Sequence, residues 1–137
     1  MSAFELDAQL AADTHAVGDL ELSRVLLMDD ARFPWLILVP RRAGKRELLD
    51  LRIDEQHVLL HEIGCCATAL RDLDKPDKLN IAALGNVVAQ LHVHVIARTR
   101  QDAAWPRPVW GVGTRSAYTS SALQLRLSSL RAALHVQ

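Results

Sequence analysis

The stretch Gly85–Arg98, "GNVVAQLHVHVIAR", alternates polar and apolar side chains at its centre. Polar residues occupy every second position, at Gln90, His92 and His94, with apolar residues between them. Because successive side chains of a strand point to opposite faces, this pattern predicts a strand with one apolar and one polar face. We expect the apolar face to pack on a helix, and the polar face to be either solvated or part of a site.

The flanking segments predict an antiparallel sheet. Apolar runs predict three further strands, Arg24–Asp30, Pro34–Arg42 and Leu79–Leu84. Gly85-Asn86 has the residues of a two-residue hairpin turn, which would join the last of these strands to the histidine strand. A regular turn would put Asn80 on the Leu91 face, whereas a single bulge would put it on the opposite face.

Apolar residues at helical spacing predict three helices, Ala3–Ala12, a long helix with Asp54 as N-cap, and Ser121–Leu134. Ile53 and Val58 have the spacing of a hydrophobic staple at the start of the long helix. Its predicted core stripe is Leu59, Ile63, Cys66, Ala67, Leu70 and Leu73. The order helix, two strands, helix, two strands, helix favours an α+β fold, with one domain over residues 1–137.

Composition excludes several classes of partner. The chain has 137 residues, half of them apolar, and 16 acidic and 16 basic side chains. Such a balance gives no reason to expect a nucleic acid or an anionic membrane as partner, and no apolar segment has the length of a membrane span. The first residues do not have the pattern of a secretory signal, so we expect a cytoplasmic protein. Cys65 and Cys66 are expected to be packing thiols.

Three interpretations of the polar face remain open from spacing alone. It is an exposed sheet face, a ligand-binding or catalytic strip, or a metal site. A metal needs at least one ligand beyond the pair His92 and His94. His57 and His61 lie on the face of the long helix opposite its apolar stripe, so we expect them to be exposed and far from the strand.

The segment "QLHVHVIAR" resembles the motif of the histidine triad family, His-x-His-x-His-x-x with apolar residues at x. Gln90 stands at the first histidine position, His92 at the second and His94 at the third. The earlier segments "LLMDD" and "LILVP" and the later Trp105-Pro106 extend the resemblance over about Leu20 to Gly111.

The resemblance implies hydrolysis or transfer of nucleotides at the α-phosphate, with dinucleoside polyphosphates or nucleoside phosphoramidates as substrates. It implies that His92 is the nucleophile that forms a covalent nucleotidyl-histidine, and that His94 holds a phosphoryl oxygen or assists the leaving group. Asn86 and the backbone N–H groups around Val87 would bind phosphate, and Asp29 or Asp30 would bind the ribose hydroxyls. Family members are typically homodimers. No cofactor is required, although a divalent cation can accompany the substrate.

The chain departs from the family pattern in three ways. Gln90 replaces the first triad histidine, the connection before the histidine strand is predicted to be short with Val87 at a hydroxyl position, and Trp35 replaces a supporting histidine. These departures leave two alternatives, a catalytically weak nucleotide-binding module and a metal-binding protein that uses His92 and His94. Trp105 and Trp110 are expected in packing or dimer contacts.

Overall fold

The computed structural model describes residues 3–137, and over these residues five strands form one antiparallel sheet with three α-helices around it. The strands are β1 (Thr14–Asp19), β2 (Ser23–Met28), β3 (Trp35–Pro40), β4 (Lys78–Ala82) and β5 (Val93–Arg98). The helices are α1 (Ala8–Asp13), α2 (Ile53–Asp74) and α3 (Ser120–Leu134). The order across the sheet is β1-β2-β3-β5-β4, so β5 is interior and β4 is an edge strand. The predicted α+β fold is confirmed.

Each face of the sheet carries its own apolar core. We call the face under α2 and α3 the helix face, and its buried side chains include Val25, Leu36, Val95, Leu59, Leu70 and Leu130. We call the opposite face, under α1 and residues 101–118, the loop face, and its buried side chains include Leu10, Leu26, Phe33, Ile37, Ile96 and Val109. Because side chains alternate along β5, His94 lies on the loop face while its neighbours Val93 and Val95 pack on the helix face.

The long helix α2 begins differently from its prediction. Arg52 is the N-cap, and its N–H donates to the Glu55 carboxylate at 3.2 Å. Asp54 therefore lies in the first turn, where it pairs with the Arg52 guanidinium at 2.6 Å. Ile53 is helical and 68% exposed, so the predicted staple is wrong. The apolar stripe is confirmed up to Leu70, whereas Leu73 is exposed.

The first helix is shorter than predicted because Asp7 caps it. The Asp7 carboxylate accepts the N–H of Gln9 at 2.8 Å, and residues 3–7 have no regular secondary structure. The sequence did not predict β1, which pairs with β2 through a bulge between Ala16 and Gly18. The segment "THAVGD" has no regular alternation, so long-range pairing rather than local pattern makes it a strand. The helix α3 agrees with its prediction to within one residue.

The predicted Gly85-Asn86 hairpin is wrong, and so is the expectation of a short connection. Residues 83–92 connect β4 to β5, and Asn80 pairs with Ile96. This register puts Asn80 on the loop face, the same face as His94.

A contact with the loop after β3 explains why β4 and β5 do not pair as the predicted hairpin. The N–H of Leu91 donates to the Lys45 carbonyl at 2.9 Å, so this part of the chain bonds to the loop after β3 instead of to β4. Gln90 consequently lies outside the strand.

None of the helices within residues 3–137 is long and apolar enough to cross a membrane.

Candidate active site

A cavity of about 300 Å³ lies on the loop face beside β5. His92 and His94 both line it. The other lining residues include Leu10 and Asp13 of α1, residues 84–88 of the connection, and Trp110. A second cavity of about 240 Å³ adjoins it and shares Asp13 and Trp110 as lining residues. A mostly apolar cleft with a few convergent polar groups is the usual form of a small-molecule site.

His92 is held in one tautomer by the backbone. Its Nδ1 lies 2.6 Å from the carbonyl oxygen of Gln90, and a carbonyl only accepts, so Nδ1 carries the proton. The lone pair of a neutral ring is then on Nε2. His92 is 6% exposed and its ring centroid lies 5.0 Å from that of His94. The arrangement presents an unprotonated nitrogen at the cavity, as a histidine nucleophile requires.

His94 has the opposite tautomer. The indole N–H of Trp35 donates to Nδ1 of His94 at 2.9 Å, which leaves the proton on Nε2. Burial, followed by the neighbouring His92, lowers the pKa of His94 to about 4. His94 is therefore a neutral hydrogen-bond donor at pH 7. Trp35, which replaces the expected supporting histidine, holds His94 in this tautomer through its indole N–H.

Gln90 does not line the cavity, and its side chain ties down the N-terminal segment. The side-chain amide donates to the Glu5 carbonyl at 2.8 Å, and its oxygen accepts the N–H of Asp7 at 2.9 Å. These bonds hold the residues that lead into α1, which supplies part of the cavity wall. His92 depends on the backbone carbonyl at position 90, which any residue supplies.

Asn86 and Val87 both line the cavity, in the connection where phosphate binding was predicted. The Val87 side chain is 93% exposed, and the preceding Gly85 has a φ of +76°, a left-handed conformation that favours glycine. The connection bends at Asn86 and Val87, beside the cavity that it lines.

The two predicted ribose-binding acids have different surroundings. The Asp29 carboxylate accepts the N–H of Tyr118 at 3.1 Å and lines neither cavity. Asp30 lines the second cavity but is 2% exposed and forms an ion pair with Arg32 at 2.8 Å. Burial opposes ionisation of Asp30, but hydrogen bonds from Arg32 and from the N–H of Ser116 outweigh it and lower its pKa.

Sequence reasoning missed Asp13, which lines both cavities. Its carboxylate accepts from the Gln9 amide at 2.8 Å and pairs with Arg115 at 3.2 Å. The residue is the last of α1, one turn after the cavity-lining residue Leu10. Its only sequence signal is an acid at the end of a short predicted helix, which is common at helix ends.

Trp110 and Trp105 have separate roles. Trp110 packs edge-on against His94 and Trp35, with ring centroids 5.0 and 5.9 Å apart, so it belongs to the cavity wall. Trp105 lies over the guanidinium of Arg98 instead. The packing role predicted for both residues agrees with these contacts.

Arg98 anchors the loop that carries both tryptophans. It is 2% exposed and forms two hydrogen bonds with Asp102, at 2.8 and 3.0 Å. It also donates to the side chain of Asn80 at 2.9 Å. Burial opposes ionisation of Asp102, but the Arg98 hydrogen bond and three backbone N–H groups hold its pKa at about 2. This ion pair has no signal in the sequence, because Arg98 is simply the last residue of an apolar strand.

The remaining titratable groups lie away from the cavity. His57 and His61 are exposed on α2, as predicted. Cys66 is buried, which raises the pKa of its thiol to about 12. Within residues 3–137, no group of three or more histidine, cysteine or acidic side chains has an arrangement that holds a metal ion.

Comparison with known proteins gives a consistent result. The model of the HIT domain matches residues 9–101. A histidine triad protein from Bradyrhizobium japonicum is 50% identical, with a TM-score of 0.95 over 97% of this chain and 99% of that one. A histidine triad protein from Marinobacter aquaeolei VT8 is 43% identical, with a TM-score of 0.95 over 98% of both chains.

A more distant solved structure shares the fold alone. Diadenosine triphosphate hydrolase from Plasmodium falciparum is 16% identical, with a TM-score of 0.56 over 96% of this chain and 78% of that one. No curated protein matches the chain.

Proposed function

The chain belongs to the histidine triad (HIT) family, and from this premise we propose that it hydrolyses or transfers nucleotides at the α-phosphate through a covalent nucleotidyl-His92 intermediate. Members of the family are nucleotide hydrolases or transferases. The observation that carries the proposal is the contact of His92 Nδ1 with the Gln90 carbonyl at 2.6 Å, which leaves Nε2 unprotonated in the cavity.

The reaction proceeds in two displacements. The Nε2 lone pair of His92 forms a bond to the α-phosphorus, and the bond from phosphorus to the leaving group breaks with its electron pair. The Nδ1 proton stays on the ring, so the adduct is a cation that the Gln90 carbonyl stabilises. The oxygen of water, or of an acceptor in a transferase, then bonds to phosphorus and releases its proton to solvent, while the phosphorus–nitrogen bond breaks and its electron pair returns to Nε2.

We place the substrate across the two adjoining cavities, with its phosphate in the first and its nucleoside toward the second. Asn86 and the backbone around Val87 hold the phosphate at the mouth of the first cavity, and His94 Nε2–H donates to a phosphoryl oxygen. The nucleoside extends toward the second cavity. There we assign the ribose hydroxyls to Asp13, because its side chain is 28% exposed whereas that of Asp30 is 3% exposed. Dinucleoside polyphosphates and nucleoside phosphoramidates both contain the required α-phosphate.

The chemistry requires no resident cofactor, because His92 itself is the nucleophile. A divalent cation that accompanies a polyphosphate would neutralise the phosphates beyond the α-position. We place the enzyme in the cytoplasm, where Cys65 and Cys66 would remain the free thiols that the structure contains.

A homodimer is part of the proposal. Ile53 and Leu60 are 68% and 69% exposed on α2, and Ile81 of the edge strand β4 is 51% exposed. Ile81 pairs with Val95, which puts it on the helix face beside α2. A second copy would cover these apolar side chains and the free edge of β4. Light scattering should give twice the monomer mass.

The decisive experiment is turnover of diadenosine tri- and tetraphosphate and adenosine 5′-phosphoramidate, followed by chromatography. We expect AMP from the parent protein and a loss on the order of 10³-fold or more in His92→Ala. His57→Ala is the matched control, because His57 is exposed on α2, and it should keep parental activity. Mass spectrometry of samples kept at neutral pH should show an AMP adduct on the parent protein and none on His92→Ala. Nucleotide binding without release of any mononucleotide would favour the binding module and overturn the proposal.

A further inference from the structure

Trp35, which lines the second cavity, and His94, which lines the first, form a buried hydrogen bond through the indole N–H and the imidazole Nδ1. We propose that Trp35 is a positioning residue that keeps His94 a neutral Nε2–H donor, so that the site selects phosphoric anhydrides over phosphoramidates. The inference rests on the proposed function, because it names the substrate class for the same attack by His92.

The contact leaves no place for a second proton on His94. Trp35 Nε1 lies 2.9 Å from His94 Nδ1, and an indole nitrogen donates but does not accept. A protonated imidazole carries hydrogen on both nitrogens, so protonation would direct two hydrogens at each other and break the bond. Trp35 is 5% exposed and packs edge-on against Phe33 and Trp110, which keeps the indole in place.

The groups that face His94 from the surrounding elements do not favour a charge on it either. The neighbouring ring is His92, which becomes cationic once it carries a nucleotide. Strand β4 contributes Ala82 opposite His94, and the loop after β5 contributes Trp110. Helix α1 contributes Asp13, whose carboxylate is paired with Arg115 at 3.2 Å. Burial and His92 together lower the pKa of His94 to about 4.

Cleavage of an anhydride needs no proton transfer from His94 to the leaving group. As His92 Nε2 bonds to the α-phosphorus, the bond from phosphorus to the bridging oxygen breaks, and its electron pair stays on that oxygen. The leaving group is a nucleoside polyphosphate or phosphate anion, which is stable in water at pH 7. The His94 Nε2–H group stabilises the developing charge by donating a hydrogen bond, and it keeps its proton.

A phosphoramidate needs a proton that the site does not deliver. The broken bond would leave its electron pair on nitrogen, and an amide anion is far too basic to depart without protonation. His94 is neutral, and the Nδ1 proton of His92 is held by the Gln90 carbonyl. Asp13 is the other titratable residue of the cavity wall, and it is ion-paired. General acid catalysis is worth about 10²–10⁴-fold, so its absence should separate the two substrate classes.

The test compares kcat/KM for diadenosine tetraphosphate and adenosine 5′-phosphoramidate, which share the adenylyl group, from pH 5.5 to 8.5. The parent should prefer the anhydride by about 100-fold or more. Trp35→His offers an acceptor to Nδ1 of His94 and should allow His94 to be protonated, whereas Trp35→Phe removes the N–H group but leaves the burial that lowers the pKa of His94. In Trp35→His the relative phosphoramidate activity should rise about tenfold or more at pH 6 and less at pH 8, and the rise should be smaller in Trp35→Phe. Trp105→Phe is the matched control and should leave the substrate ratio unchanged, because Trp105 lies outside the cavity wall.

Nitrogen-15 NMR of the parent supplies a readout that is independent of turnover and of variant folding. The Nδ1 of His94 should stay unprotonated from pH 5.5 to 8, whereas an Nδ1 proton near pH 6.5 would overturn the inference. Parental kcat/KM values within a few-fold for both substrates would also overturn it, while leaving the proposed function intact. No AMP from either substrate would overturn the proposed function, and the substrate preference with it.

Discussion

Both faces of the sheet carry an apolar core, but the segments that cover the two faces differ. On the helix face, α2 and α3 cover a continuous apolar core in which side chains such as Leu59 and Leu130 are fully buried. On the loop face, individual polar contacts fix the segments that enclose the cavity, among them the Gln90 bonds to residues 5 and 7 and the Arg98 bonds to Asp102. A defect on the helix face should therefore affect stability alone, whereas a defect on the loop face should also affect the site.

Substitution of Arg98 by Met should have the largest effect on stability. It removes a side chain that is 2% exposed and leaves the carboxylate of Asp102, 7% exposed, without its cationic partner. Breaking one side of a buried ion pair typically costs about 3–5 kcal/mol. Urea unfolding should show a loss of this size, and the KM for nucleotide should rise because residues 101–110 carry Trp110 into the cavity wall. An unchanged KM would mean that the loop holds its position without Arg98.

Acid titration of the parent is the control for this contact. The pKa of Asp102 is lowered to about 2, so its contribution to stability is complete above the unfolded pKa near 3.8 and is lost as the pH falls through 2. This difference corresponds to about 2 kcal/mol. The free energy of unfolding should fall more between pH 4 and 2 in the parent than in Arg98→Met, in which only the three backbone N–H groups still lower the pKa of Asp102. The same acid loss in both proteins would assign it to other carboxylates.

Substitution of Leu59 by Ala tests the helix face. Leu59 is fully buried against the sheet, and truncation of such a side chain costs about 2–5 kcal/mol. Below the melting transition, kcat and KM should remain at parental values, because Leu59 lies across the sheet from the cavity. Thermal unfolding and steady-state kinetics on the same sample test both statements. A change in kcat would show that packing on the helix face reaches His94 through β5.

Periodicity predicted the helix face well because burial is what the pattern of apolar residues records. The stripe from Leu59 to Leu70 and the alternation of Val93 and Val95 each follow from one element packing on another. The same alternation placed His94 on the opposite face, and the family motif directed attention to His92. Both histidines line the cavity.

The loop face was predicted less well because its contacts join residues far apart in the sequence. Gln90 bonds to Glu5 and Asp7, Leu91 bonds to Lys45, and these contacts end the regular strand that alternation alone extends to position 90. Trp35 looked like the loss of a supporting group, since sequence does not show that an indole N–H reaches His94. The registers of edge strands are also fixed by such tertiary contacts, which is why β1 was missed.

Substitution of Gln90 by Leu should have the smallest effect on stability and separates the two roles of the first triad position. It removes two hydrogen bonds to the N-terminal segment, worth about 1–2 kcal/mol together, but keeps the backbone carbonyl that orients His92. Because the freed segment leads into α1, KM should rise several-fold while kcat changes little. Steady-state kinetics should compare Gln90→Leu with Glu5→Ala as the control. Glu5 accepts the Gln90 hydrogen bond through its backbone carbonyl, so Glu5→Ala changes an exposed side chain and leaves that hydrogen bond in place. A large loss of kcat at unchanged KM would mean that the Gln90 side chain takes part in the displacement itself. The contacts of Gln90 with the segment before α1 would then affect the reaction step and not only the binding of nucleotide.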